Sequence, residues 1–312
     1  MKSKDIITIG EGLVELSTTQ SLTYADTLNK YFGGDTLTTA IAGARLGAEV
    51  GYISKIGNDA FRDFLFDGWA SEGIDISQCK IIDGHNGVYF VAVQDTGKKQ
   101  FAYYRKKTAA TMLSAKDIDE EYVKSAKIVY ATGITQSLSL SAKEAVIKLF
   151  KTAKENNILV AYDPNFDPLL SSKDEARDAF FEVEEFIDIL FLNVKSDSVE
   201  LWDMDSCDKL TEAILDRGIK TVVLKSKEKG GYVVANAAES VFIPFYSNVK
   251  IDSTGAGDTF NGAFLQQVAS GKSPFEAAKI AAIVSGLQVR GIGAIKSIPS
   301  SKEVEDAIRE NT

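Results

Sequence analysis

Residues 251–264 read IDSTGAGDTFNGAF, three glycines and two carboxylates in fourteen positions, passing into apolar residues at helical spacing. The first amides of a helix have no intrahelical partner, and the backbone dipoles add positive potential there. Gly255, Ala256 and Gly257 carry no bulky side chain, so their N–H groups form a candidate cradle for a phosphoryl oxygen. Asp258 falls in the first helical turn. An aspartate there either caps the helix or accepts a proton from a substrate hydroxyl while nearby amides stabilise a phosphoryl group in transfer. On this stretch alone both readings stand.

Outward from this loop, strand-like and helix-like patterns alternate, as expected for a mainly parallel sheet covered by helices. DIITIG (5–10) reads as the first strand, and TLTTAIAGARLGAEVGYISKIG (36–57) as a helix stopped at Gly47 and then a strand. Further strands are expected at KIVYATG (127–133), ILVAYDPN (158–165), ILFLN (189–193) and TVVLKS (221–226). Helices are expected near 141–156, 175–186, 208–216, 257–270 and 274–290. Residues 86–105 break the alternation, with two strand-like runs around DTGKK that read as an antiparallel hairpin. Together with residues 12–32 they are expected to form a small β-sheet lid on a single domain spanning 1–312.

The 312 residues are 45% hydrophobic and 25% charged, an ordinary globular composition. A net charge of −9 argues against a nucleic-acid surface, which needs clustered cations, but leaves room for a small anionic ligand in a cleft. The N-terminus lacks a signal-peptide pattern and no stretch reaches membrane-span length, so a cytoplasmic protein without membrane contact is expected. Cys79 and Cys207 stand alone and read as free thiols. His85 is the single histidine, which disfavours a histidine-rich zinc site or a Ser-His-Asp triad. The one GKS, at 271–273, has Gln266 where a Walker A loop needs its first glycine. A dinucleotide loop would open the first βα unit, whereas these glycines come late in the chain.

DSTGAGDTFNGAFL (252–265) resembles the C-terminal signature of the ribokinase-like (PfkB) carbohydrate kinases. FGGDTLTTAIAGARLG (32–47) and YISKIGNDAFRDFL (52–65) resemble the N-terminal one, in the same order and about 220 residues upstream. The resemblance implies a three-layer α/β/α fold with mainly parallel central sheet and a β-sheet lid. It implies ATP- and Mg²⁺-dependent phosphorylation of a sugar or sugar-acid hydroxyl, with Asp258 as base and Gly255 to Gly257 as anion hole. Asp252 and Thr254 match positions that bind a monovalent cation such as K⁺, and could equally be turn formers.

Within the family, GEGLVELS (10–17), GGDTL (33–37) and YYRKKTAA (103–110) look most like 2-keto-3-deoxygluconate kinases. That likeness implies substrate contacts from Gly33, Gly34, Asp35, Tyr89, Tyr103 and Arg105, the last suited to hold a carboxylate. Asn193, Lys225 and Gly230 match nucleotide-side positions. Three positions depart from the pattern. Thr38 replaces the usual Asn, Asp167 the usual Arg of DPNxR, and Ser196 the glutamate of NxxE, with Asp197 and Glu200 nearby. Asp167 would repel a substrate carboxylate if it faced the pocket, favouring a neutral sugar such as fructose. A sugar-binding regulatory protein without transfer activity is the alternative of another class. A homodimer through the lid is also expected.

Overall fold

The computed structural model describes residues 4–94, 99–247 and 249–310. Strands β1 (Lys4–Ile9), β2 (Leu13–Thr18), β3 (Asn29–Gly33), β4 (Val50–Gly57), β5 (Asp75–Ile82), β6 (Gly87–Val93) and β7 (Lys99–Tyr104) come from the first third. After them come β8 (Ala126–Thr132), β9 (Leu159–Asp163), β10 (Ile189–Asn193), β11 (Thr221–Ser226), β12 (Gly231–Ala235) and β13 (Ser240–Pro244). Nine form one sheet in the order β13-β12-β11-β10-β9-β8-β1-β4-β5. Its pairs are parallel from β5 to β11, and the β11, β12, β13 edge is antiparallel. The other four form the order β3-β2-β6-β7, with β6 and β7 antiparallel as the alternating pattern predicts. Residues 95–98 of the DTGKK turn lie outside the described residues.

Parallel strands buried on both faces read as continuous apolar runs. In β8, Ile128 and Tyr130 enter one core, shared with the helices Asp35–Arg45, Ala256–Ala269 and Pro274–Gln288, while Val129 and Ala131 enter a second around Leu140–Glu155. Three layers result. The two cysteines are buried and free, in keeping with the sequence reading. The helix expected near 175–186 ends at Phe181, and Glu184–Phe186 is a separate 3₁₀ turn. A capping box at Ser172 starts that helix earlier than its apolar spacing suggests. The helix Arg62–Ser71, strand β5 and the helix Ser301–Glu310 went unread in the sequence.

From β1 the chain moves outward through β4 and β5, then returns to β8 and proceeds the other way through β9, β10 and β11. The carboxyl ends of β1 and β8 therefore flank a topological switch point, where open α/β sheets place ligands. Two helices begin beside it, Asp35–Arg45 and Ala256–Ala269. They touch through backbone. A Cβ at Gly262 would collide with the Thr39 carbonyl oxygen and come within 2.8 Å of the Ala42 methyl. The Thr39 hydroxyl adds a hydrogen bond to the Asp258 carbonyl oxygen at 3.1 Å. Gly262→Val should force these helices apart and cost ~1–3 kcal/mol, read as a lowered denaturation midpoint. An unchanged midpoint would show that the contact tolerates extra volume.

Candidate active site

Gly255 adopts φ 73°, a left-handed conformation that turns the chain into the helix Ala256–Ala269. A Cβ on it would lie 2.8 Å from the Ala294 Cβ and 3.3 Å from the Thr38 methyl. Thr38 thus packs against the glycine loop. At Gly257 the nearest neighbour of such a Cβ would be the Lys225 ammonium, at 3.2 Å. The missing side chain at Gly257 therefore leaves the loop open toward an ammonium, while that at Gly255 admits Ala294 and Thr38. The Ala256 N–H reaches the Ser253 carbonyl oxygen at 3.3 Å, a long bond.

Asp258 follows in the first turn and is partly exposed. Its backbone carbonyl is bonded, but among the described residues no hydrogen bond reaches its carboxylate. Desolvation, then the charges of Asp35 and Asp163, raise its pKa well above the usual carboxylate range, against the Lys225 cation. Asp35 begins the other helix and accepts from the Thr132 hydroxyl at 2.6 Å, at the carboxyl end of β8. Asp163, buried at the end of β9, accepts from Lys225 Nζ at 2.7 Å and Asn261 Nδ2 at 2.8 Å. Asn261 lies three residues beyond Asp258, on the same helical face.

A cleft of ≈ 230 Å³ opens from this loop, lined by Asn193, Lys225, Ala256 and Gly257 and walled by Tyr232, Phe245 and Tyr246. Asn193 also caps the turn after β10, its Oδ1 accepting from the Lys195 and Ser196 amides. Val194–Ser198 is one π-helical turn, whose extra residue presents Asp197 where Ser196 was expected. Asp197 is buried and accepts from the Asn193 amide at 2.7 Å and the Phe166 amide at 3.0 Å. Burial, then Asp163, push its pKa up to about 7. Gly230, at φ 71°, shapes the turn between β11 and β12 and is not among the described residues lining this cleft.

On the other side a cavity of ≈ 730 Å³ is lined by Tyr103, Arg105, Lys106, His85 and Asp167, among others. Asp167 does face it. Arg105 spends Nε and Nη2 on Glu11 Oε2, at 2.9 and 2.8 Å, and Thr108 bonds the other oxygen at 3.0 Å. A ligand carboxylate would meet the guanidinium edge carrying Nη1. Tyr89 is buried, donates to Glu15, stacks on Tyr103 at 5.6 Å and lies against Gly33. Gly34 takes φ 136°, where a Cβ would strike the Glu11 carbonyl oxygen. Asp252 and Thr254 do meet, and the cation between them is the Lys99 ammonium, 2.6 Å from Asp252 Oδ1 and 3.1 Å from Thr254 Oγ1. A free cation bound beside it would be repelled by that ammonium.

The pfkB family carbohydrate kinase profile matches residues 3–301. The chain belongs to that family. It is 30% identical over 311 residues to a 2-dehydro-3-deoxygluconokinase of Thermoproteus tenax, covering 97% of this chain and 94% of the relative. A 5-dehydro-2-deoxygluconokinase of Clostridium perfringens is 27% identical over 315 residues, with 98% and 93% covered. A putative Ribokinase II from E. coli, solved with ATP and Mg²⁺, superposes with a TM-score of 0.90 at 27% identity, covering 98% and 99% of the two chains. The fold expected from sequence is the ribokinase-like one observed.

This carbohydrate kinase carries site residues that local reading missed. Glu11, Glu15, Asp163 and Lys99 bond partners between 62 and 153 positions away, and no local period signals such pairs. Asp163 stood in the DPN stretch, Glu11 and Glu15 in GEGLVELS. Glu11 and Arg105 are almost fully buried, and removing one partner of such a pair is expected to cost about 3–5 kcal/mol. Arg105→Met should lower stability by that amount in urea denaturation. The double variant Glu11→Met/Arg105→Met should recover most of the loss, and a double variant as weak as the single one would refute the pairing.

Proposed function

We propose that this carbohydrate kinase transfers a phosphoryl group from ATP to a hydroxyl of a dehydro-deoxygluconate, the 2-dehydro-3-deoxy acid first. The observation carrying the reading is the free, desolvated Asp258 carboxylate directly after an amide loop overlooked by Lys225. The acid can accept a proton because no side chain satisfies it. Asp35 orients the sugar, and Gly33 and Gly34 let Tyr89 and the Glu11 backbone pack close beside it. The amides of Gly255, Ala256 and Gly257 and the Lys225 ammonium offset charge on the transferring group. The substrate oxygen forms a new bond to phosphorus as the bond to the departing ADP oxygen breaks, and the hydroxyl proton passes to Asp258. Magnesium carried by the ATP phosphates offsets their charge when bound. The loop glycines, Asn193 and Lys225 are the groups that would hold the nucleotide.

The four-stranded sheet acts as a lid on a single catalytic domain, excluding water that would otherwise hydrolyse ATP. Its exposed Phe101 and Tyr104 support contact with a second copy. A cytoplasmic location fits ATP use, and no helix among the described residues is long and apolar enough to cross a membrane. For the acid substrate, Arg105 and Lys106 supply cations in the larger cavity. Asp167 in the same cavity favours a second reading, a neutral ketose such as fructose. An ADP-release assay across 2-dehydro-3-deoxygluconate, 5-dehydro-2-deoxygluconate, fructose and nucleosides separates these. The first should turn over fastest, and no turnover of either acid would overturn the substrate assignment.

Asp258→Asn should lower kcat by roughly 10²- to 10⁴-fold while folding and ATP binding persist, and retained turnover would remove Asp258 as base. A base must be ionised, so kcat/KM should climb with pH through the pKa of Asp258. That acid limb should lie above the ordinary carboxylate range, because burial, Asp35 and Asp163 raise the pKa and Lys225 only partly opposes them. Asp35→Asn removes one negative neighbour and should move the limb to lower pH, whatever it does to the height of the profile.

A further inference from the structure

Lys99 opens β7 of the small sheet, and Asp252 lies three residues before Gly255, on the main body. Asp252 is buried, and Oδ1 accepts from Lys99 Nζ at 2.6 Å, from the Thr254 amide at 2.9 Å and from the Thr254 hydroxyl at 2.7 Å. Its Oδ2 accepts from the Gly293 amide at 3.1 Å. The Thr254 hydroxyl, having given its proton to Asp252, accepts from Lys99 at 3.1 Å. The Thr254 carbonyl oxygen, another potential ion ligand, already accepts from Gln288 Nε2 at 2.9 Å. Each of these Asp252 and Thr254 oxygens thus already faces a proton donor, and one donor carries a full charge.

We infer that the Lys99 ammonium replaces a free monovalent cation, holding the turn into the anion loop in its working shape and linking that shape to the position of the small sheet. The inference rests on the kinase reading above. Lys99 touches no reacting atom and is a positioning residue. It neutralises Asp252, and Asp252 fixes Thr254 next to the loop glycines. Turnover should then need no K⁺, and the loop is set only when the small sheet lies in place. Removing the ammonium frees an oxygen pair that a K⁺ ion can occupy.

The test compares the full chain with Lys99→Ala in KCl and in choline chloride of equal ionic strength, choline being a quaternary ammonium with neither an N–H donor nor a bare charge for the oxygens to coordinate. The parent should turn over at the same rate in both salts. Lys99→Ala should lose about 10- to 100-fold in choline chloride, the range expected for a lost charged hydrogen bond, and regain most of it in KCl. Thermal denaturation supplies a readout independent of turnover, with KCl raising the midpoint of the variant and not of the parent. If no sugar is phosphorylated the kinase reading fails, while the denaturation comparison still decides the role of Lys99. A parent activated or stabilised by KCl as strongly as the variant would overturn the inference, as would a variant indifferent to KCl in both measurements. Should Lys99→Ala not fold, Lys99→Met keeps the apolar stem and undergoes the same comparison.

Discussion

The helices Asp35–Arg45 and Ala256–Ala269 meet where Gly262 has no side chain, so their separation is set by backbone and by the Ala42 methyl. Each carries an acid in its first turn, and each begins beside the switch point between β1 and β8. Helices held by long interdigitating side chains can shift by repacking rotamers, whereas a backbone contact has few alternatives. The spacing of Asp35 and Asp258, the two acids proposed above to meet the sugar hydroxyl, follows from that contact. The Thr39 hydroxyl on the Asp258 carbonyl fixes the remaining slide along the helix axes.

Bringing acids together carries an electrostatic cost that the molecule meets unequally. Asp163 is bonded by Lys225 and Asn261, Glu11 by Arg105 and Thr108, and Asp252 by Lys99 and three further donors. Burial would raise Asp252, yet those bonds bring its pKa below the usual value. Asp258 is treated differently. It receives no such bonds, feels Asp35 and Asp163 as repulsive neighbours, and is desolvated, which makes its carboxylate more basic. That contrast marks it out for proton transfer: structural acids in this site have donors and the candidate base does not.

Legibility in the sequence followed the range of each interaction. The glycine loop, Asp258 and the parallel strands were readable because helix starts and buried strands have local signatures, a glycine at positive φ or an unbroken apolar run. Asp197 was not, because a π turn inserts one residue after Asn193 and shifts the acid by one position from where helical spacing puts it. Arg105 was found, but its engagement with Glu11 was not, since the two lie 94 residues apart. Gly230 was read toward the nucleotide from its neighbours, while its positive φ is spent on a turn.

The cations around the site arrive on different parts of the chain. Lys225 ends β11 of the large sheet, Arg105 follows β7 of the small sheet, and Lys99 begins that same strand. Lys99 thus belongs to the small sheet while its acid, Asp252, belongs to the main body, whereas Glu11 and Arg105 both lie in connectors beside the small sheet, two residues before β2 and one after β7. Moving the small sheet away would leave Asp252 without its cation, an unfavourable state until water or an ion replaces it. A lid of the kind proposed above is thus held in place without any contact to a sugar. The sheet proposed to exclude water also supplies the charge that holds the turn before the glycine loop.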